Sequence, residues 1–545
     1  MSLGLPAGIT TAMAAVVVAA YGLGWMGAGL APWLVTAIGV LSGAAICLAT
    51  GSRRAAALAA PLWAWGLVFG AVLAMLIWPV WPALLPPGGA SDLTHHLMLV
   101  DAIERTRHLV NGASGEAALG EMAHYTPGLH LLVAIAGSLV GVDAYRTMYP
   151  LLAITIALKG AFLFLIAYVA AGEMRARLPI ALSAVGLVLF APRAYSLDGF
   201  LQAGFFAQVA AELFVVAGWW ALARWWLERR GAWMAMVGVM GAAVFLVWPI
   251  WIGPLMIAVA LGLMCARGLR WRARVQAGAL AVAPFAAVAV MHLSQHAAWL
   301  GMAGTSGAVP RFVPGPLGWV LIILALAGAL AGRFAGTRVT LWFAGGIALQ
   351  ALALWGLAHA RGADTPYMAM KMIYLAVYPA AVLGAVGIGR AVQWIPRAAT
   401  AASWAVGVAV VAVGLHAASA SPVPAPLVDV DLDAAGRWAR TNLPPACVDY
   451  IVDNAEQAYW LHLAVMGQPR SSPRTADIDG YTANRAIGRW LEGKSPPYVV
   501  ARRHLLPGEM VGDADGVGDA EIVHAFGSAV VIHRRGVACP LTIGD

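Results

Sequence analysis

Long apolar runs, divided by short segments that carry most of the arginine, constrain this chain more than any other feature. A membrane-spanning helix needs about 20 predominantly apolar residues. Thirteen runs meet or approach that length: Gly8–Ala28, Leu30–Ala49, Ala57–Val80, Met148–Ala171, Leu178–Ala191, Phe200–Ala223, Trp233–Pro249, Ile252–Cys265, Val275–Leu293, Leu317–Ala331, Val339–Ala358, Met372–Ile388 and Ala402–Ala420. Of the 545 residues 61% are hydrophobic and only 11% are charged, against roughly 25% charged in an ordinary globular protein. So few charges cannot cover the surface of a soluble chain this long, and disorder requires the opposite composition. The expected fold is a polytopic α-helical membrane protein of about 13 transmembrane helices.

The loops alternate in charge. One set carries Arg53 and Arg54, Arg175 and Arg177, Arg224, Arg229 and Arg230, Arg267 to Arg274, Arg333 and Arg338, and Arg390 and Arg397. The other set is longer and holds most of the acids and histidines. The positive-inside rule assigns the first set to the cytoplasm, which puts the N-terminus inside and the C-terminus outside. This requires Thr126–Val142 to lie along the outer interface, because a span there would invert every later loop. Met1 to Thr50 contains no Lys or Arg, so no cleavable signal peptide is expected. The net charge of +8 follows from these loops and does not point to nucleic acid. Trp78, Trp81, Trp248, Trp251 and Trp299 fall near external span ends, where interfacial anchoring is expected.

Residues 1–420 therefore read as the membrane domain, with a large external loop at 81–147. The Pro-rich stretch Ser421-Pro422-Val423-Pro424-Ala425-Pro426 reads as a semi-rigid linker. Residues 421–545 then form a small external α/β domain. Helices are expected at Asp433–Thr441, Ala455–Met466 and Ala483–Leu491, and strands at Val448–Val452, Tyr498–Ala501 and Ser528–His533. Cys447 and Cys539 are the only cysteines of this domain, and an external location favours a disulfide between them. Cys47 and Cys265, in spans, read as small apolar residues.

Chemistry-bearing residues crowd into the first external loop. Asp92 follows a Gly/Pro turn and opens an amphipathic helix on which Leu93, Leu97, Val100 and Ile103 share a face. It is placed to cap that helix or to act as a general base at the membrane surface. His95 and His96 follow one turn later. Adjacent helical residues diverge by about 100°, so the pair is poorly arranged to chelate one metal ion. Asp101, Glu104, Tyr125 and His130 complete the loop. Arg193 and Asp198 stand in the next external loop, as phosphate or sugar ligands or as an interfacial ion pair. Later, Lys371 lies at the outer end of a span, where the positive-inside rule does not ask for a cation. It is a snorkelling side chain or a phosphate ligand, with Tyr374 on its face and Arg361 nearby. Lys159 and Glu212 lie inside spans and are expected to pair.

An acid after the first external turn, a nearby His, an amphipathic helix and then Tyr125-Thr126-Pro127-Gly128-Leu129-His130 together resemble the GT-C glycosyltransferases. Those enzymes move a sugar from a polyprenyl-phosphate carrier to an acceptor outside the membrane. The segment His124–His130 is similar to their Tyr-Pro-Pro-Gly-x-His stretch, and Tyr367 to Tyr374 is similar to their late Tyr-x-x-x-Lys-x-x-Tyr stretch. The likeness extends over nearly the whole chain as architecture. It implies Asp92 as the catalytic base, with Asp101, Glu104 and Asp198 as alternatives. Many members carry two adjacent acids there, whereas Asp92 is flanked by Ser91 and Leu93. The resemblance also implies Lys371 with Arg361 or Arg193 on the donor phosphate, and His95, His96, Tyr125 and His130 around the sugar and acceptor. The implied donor carries arabinose or mannose, the acceptor is a glycan, lipid or protein, and the location is a bacterial inner membrane. No cofactor is implied, and a divalent cation stays open. The competing readings are a lipid-linked-sugar transporter, which needs broken helices and polar groups at the midplane, and an O-antigen polymerase or ligase, in which Asp92 would be dispensable.

Overall fold

The computed structural model describes residues 4–51, 61–88, 91–110, 119–172, 174, 176–190, 204–296, 306–307, 316–330, 335–393, 399–419, 425–468, 478–508, 510 and 519–539. The regular elements of the membrane portion, among the described residues, are helices: α1 Gly4–Trp25, α2 Pro32–Thr50, α3 Leu62–Ile77, α4 Ser91–Thr106, α5 Gly128–Val140, α6 Ala144–Ala170, α7 Arg177–Phe190, α8 Phe206–Glu228, α9 Gly231–Val247, α10 Ile252–Cys265, α11 Trp271–Gln295, α12 Pro316–Leu330, α13 Ala335–Ala360, α14 Tyr367–Val392 and α15 Ala399–Ser419. Among the described residues, eight helices are long and apolar enough to cross a membrane: α1, α2, α3 extended to Val80, α6, α8, α11, α13 from Gly336, and α14. The other five apolar runs form α7, α9, α10, α12 and α15, whose described apolar stretches are shorter. The chain is a multi-pass membrane protein, and among the described residues eight helices satisfy length and composition outright. Helix α5 has only 13 residues, too few to cross the hydrocarbon by itself.

Three helices form the centre. The apolar window of α8 is wholly buried and those of α6 and α14 largely so, whereas α2, α11 and α13 expose most of theirs. Peripheral helices turn leucine, valine and tryptophan outward, as a lipid-facing surface requires. Close helix contacts depend on missing side chains. A Cβ on Gly43 of α2 would lie 2.4 Å from the Gly8 carbonyl oxygen of α1.

The central trio is pinned by a polar knot. Lys159 of α6 donates to Glu212 of α8 at 2.5 Å and to the Tyr378 hydroxyl of α14 at 2.8 Å. Tyr378 in turn donates to Glu212. All three residues are buried. A buried charge is costly unless paired, so each charge depends on its partner. The pairing expected of Lys159 and Glu212 is present, with Tyr378 as an additional member.

The C-terminal part contains α16 Val430–Asn442, β1 Val448–Ile451, α17 Ala455–Trp460 continuing as a π-helical turn Leu461–Val465, α18 Ala483–Leu491, β2 Tyr498–Arg502, β3 Ala520–Phe526 and β4 Ala529–Arg534. The sheet order is β1-β2-β4-β3. β1 and β2 pair in parallel, and the other two pairs are antiparallel. Strand β3 escapes sequence reading because it is an exposed edge strand with no buried alternation and a register shift between Ile522 and His524. Cys447 and Cys539 form a disulfide with Cα atoms 5.7 Å apart.

This part does not stand off the membrane domain. Arg440 of α16 pairs with Asp101 of α4 at 2.5 Å, and Tyr145 of α6 donates to Asp433 of α16 at 2.6 Å. Gly467, at φ +64°, packs against the Asp101–Arg105 pair so closely that a Cβ would lie 2.6 Å from the Asp101 carboxylate. The tryptophans divide in two. Trp78 and Trp81 are exposed, but Trp248 and Trp251 are buried inside the bundle, so these two are not interfacial anchors. Trp299 lies outside the described residues.

Glu212→Gln alone should destabilise the protein by about 3–5 kcal/mol, because it strands a buried ammonium, while Lys159→Met combined with Glu212→Leu should recover most of that loss. Thermal unfolding in detergent checks both; equal losses for the single and double variants would remove the pair from the account. Thiol labelling before and after reduction should find Cys447 and Cys539 blocked until reductant is added, and labelling without reductant would contradict the bridge.

Candidate functional site

Asp92 occupies the first turn of α4 and is exposed. The free N–H groups and dipole of a helix start favour a carboxylate there. Its side chain lies within Coulombic range of Lys371 and Tyr367 on α14 and of Tyr125. Burial first, and then the charge of Asp92, hold the Tyr125 phenol well above its ordinary range. Residues more than 270 positions apart in sequence thus share one electrostatic environment.

Two glycines make this convergence geometrically possible. Gly204, at φ +66°, places its backbone against α4, where a Cβ would meet the Leu93 amide nitrogen at 3.1 Å. That turn delivers Phe205 to Lys371. Gly128 approaches the end of α9 so closely that a Cβ would lie 2.7 Å from the Leu246 carbonyl oxygen. Beside it, Thr126 donates to the Val247 carbonyl at 3.2 Å. The Thr-Pro-Gly segment is therefore a close-packing device that sets Tyr125 beside Trp248, with ring centroids 6.1 Å apart.

Lys371 is buried. Its ammonium lies 4.4 Å from the centre of the Phe205 ring, 4.5 Å from Tyr367 and 4.9 Å from Trp248. Aromatic faces attract a cation but offer far less than a hydrogen-bonded anion. This is a side chain turned into the protein, so snorkelling to the surface is not its arrangement. Phe205 and Trp248 were not singled out by sequence reasoning as site residues. The available signal was Trp248-Pro249, an aromatic residue at a helix break, which also reads as an interfacial anchor.

The three expected site histidines, His95, His96 and His130, all have ring or hydrogen-bond partners. His96 Nδ1 and His130 Nε2 are 3.0 Å apart with stacked rings, and Tyr125 sits edge-on to both. Burial, then the neighbouring His95 and Lys371 charges, push His96 down to about 3. Burial likewise lowers His130. Both rings are therefore neutral at physiological pH, which permits one to donate and the other to accept. His95, half-buried, is hydrogen-bonded to the Tyr459 hydroxyl of α17 at 3.0 Å, linking the Asp92 helix to the C-terminal part.

The remaining expected site residues are distributed differently. Glu104 accepts the Ala144 backbone N–H at 3.1 Å, serving the start of α6. Asp101 is held by Arg105 and Arg440. Both acids are engaged by protein partners. Tyr374 is buried on α14 one turn below Lys371, whereas Arg361 is exposed in the turn between α13 and α14. Arg193 and Asp198 lie outside the described residues. Among the described residues no group of three or more His, Cys, Asp or Glu is placed to hold a metal ion.

No protein-family profile and no curated protein matches the sequence. Among solved structures, the chain is similar to the Archaeoglobus fulgidus oligosaccharyltransferase in complex with zinc and sulfate, with a TM-score of 0.47 and 15% identity over 81% of this chain and 68% of that one. It is also similar to ArnT from Cupriavidus metallidurans in the apo state, with a TM-score of 0.42 and 14% identity over 86% of this chain and 97% of that one.

The lowered His96 makes stability pH-dependent. The unfolded imidazole titrates near 6.5 and the folded one near 3, so the unfolded state takes up more protons between those values and stability falls as pH drops through that window. Wild-type protein should lose melting temperature between pH 7 and pH 4.5, and His96→Gln should lose less over the same interval. Parallel curves for the two proteins would refute the buried neutral histidine.

Proposed function

We propose that this chain transfers a sugar from a polyprenyl-phosphate donor to an acceptor hydroxyl at the outer face of a bacterial inner membrane. The observation that carries the reading is the pairing of an exposed carboxylate, Asp92, with a buried cation within its field, Lys371. The sequence resemblance to GT-C glycosyltransferases supports the same assignment of roles.

Asp92 takes the proton of the acceptor hydroxyl as that oxygen forms its bond to the anomeric carbon. The bond from the anomeric carbon to the phosphate oxygen breaks, its electron pair stays on phosphate, and Lys371 stabilises the charge that develops there. Attack opposite the leaving group inverts the anomeric centre. His95, His96, Tyr125 and His130 shape the pocket for sugar and acceptor, Tyr374 lies one turn from Lys371, Arg361 or Arg193 joins Lys371 on the donor phosphate, and Asp198 is a further sugar or phosphate ligand. The lipid tail lies in an apolar cleft among the spans. The C-terminal part covers the site and recognises the glycan, lipid or protein acceptor. Lys371 carries positive charge at the phosphate.

The transporter reading is weaker because the buried charges at depth, Lys159 and Glu212, are engaged with each other and with Tyr378. The polymerase or ligase reading makes Asp92 dispensable, which separates it experimentally.

Purified protein in proteoliposomes, offered synthetic polyprenyl-phosphate pentoses and hexoses with a mixed glycan acceptor pool, should release polyprenyl phosphate detectable by mass spectrometry. Asp92→Asn should fold and insert normally but turn over about 100-fold or more slowly. Lys371→Met should raise donor KM more than acceptor KM. Wild-type turnover in Asp92→Asn would reject it as the base, and unchanged donor kinetics in Lys371→Met would reject the phosphate role.

A further inference from the structure

We infer that the indole N–H of Trp248 is a second hydrogen-bond donor to the lipid-linked phosphate, beside the Lys371 ammonium; this rests on the proposed reading of the site. Trp248 joins α9 to the short 3₁₀ turn Pro249–Trp251, and its backbone at φ −153° and ψ 89° breaks the helix and turns the ring inward. The side chain is buried, yet among the described residues its Nε1–H has no acceptor. An indole nitrogen is a donor only, so nothing but an acceptor atom can satisfy it.

Position distinguishes this indole from others. Trp65, Trp219 and Trp220 also lack acceptors among the described residues, but Trp219 stacks on Phe343 and Trp220 meets Phe162 edge-on, and none of the three has a cation over its ring among the described contacts. Three residues beyond Trp248, Trp251 donates to the Gln208 carbonyl at 3.2 Å. Trp248 alone of these combines an unsatisfied N–H with a buried ammonium 4.9 Å from its ring. A buried ammonium over the ring that carries the indole N–H, neither of them satisfied by a hydrogen-bonded protein anion among the described residues, calls for a ligand with several acceptor oxygens and negative charge. A phosphate ester meets that description, and its acceptor oxygens can engage both groups at once. The Thr126–Gly128 contact with the end of α9 then has a consequence beyond packing, because it fixes the segment that aims this N–H.

The test uses the full chain in lipid nanodiscs, with geranylgeranyl phosphate as the probe and geranylgeraniol as its uncharged counterpart. Wild-type protein should bind the phosphate more tightly than the alcohol. Replacing Trp248 with 3-benzothienylalanine keeps the ring over Lys371 and removes the N–H; it should weaken phosphate binding about tenfold and leave alcohol binding unchanged. Trp248→Phe should act in the same direction. Wild-type phosphate affinity in the benzothienyl protein, or equal losses for phosphate and alcohol, would overturn the inference. Lys371→Met, measured in parallel, separates two failures. If it loses phosphate binding while the Trp248 variants do not, the indole assignment alone is wrong. If it too binds phosphate at full strength, the reading of the site falls with it.

Discussion

A buried ammonium walled by aromatic rings is the constraint around which the rest of this molecule is arranged. Removing a charge from water costs several kcal/mol unless the protein returns comparable interactions. Phe205, Tyr367 and Trp248 return part of that through their ring faces, and the charge of Asp92 adds a favourable contribution. Such a centre is poised for an anion. It also needs a rigid frame, since α14 must hold Lys371 against the outward pull of solvation. Two turns further down the same helix, Tyr378 is tied to Lys159 and Glu212 on the other two central helices. The polar knot and the cation thus share one helix, and packing at depth sets the position of charge at the surface.

The carboxylate side is built differently. Helix α4 carries an exposed Asp92 in its first turn, while residues that follow it are gripped. Its apolar face packs into the bundle, Glu104 bonds the start of α6, and Asp101 and His95 bond the C-terminal part. In the proposed reaction this leaves the base free to meet substrate while its helix stays fixed. The same contacts make the C-terminal part a component of the site's architecture, since its Tyr459 reaches a histidine one turn from Asp92.

Much of this was readable in the amino-acid sequence, for physical reasons that differ by element. The apolar runs were legible because the bilayer imposes length and polarity on any segment that crosses it. Lys159 and Glu212 were legible as a pair because charges are rare in spans and neither can stay buried alone. Strand β3 was not legible, because an exposed edge strand leaves no alternation to read. Among the described residues eight of the thirteen runs meet the length and polarity of a span outright, while α7, α9, α10, α12 and α15 present shorter described apolar stretches. Trp248 and Trp251 were misplaced because an aromatic near a span end fits both an interface and an interior, and only the break at Pro249 turns them inward. Asp101 and Glu104 carry the same chemistry as Asp92 in the sequence; their engagement with Arg440 and with the Ala144 amide is a tertiary fact that no local pattern encodes.

The central claim is that phosphate sits at Lys371 with Asp92 facing the carbon it leaves. The most direct measurement is an electron cryo-microscopy map of the full chain bound to a non-hydrolysable polyprenyl-phosphonate sugar. The account predicts the phosphonate about 3 Å from the Lys371 ammonium, with the Asp92 carboxylate open to the anomeric carbon from the opposite side. A phosphonate seated away from Lys371, or an Asp92 side chain turned to lipid, would contradict it.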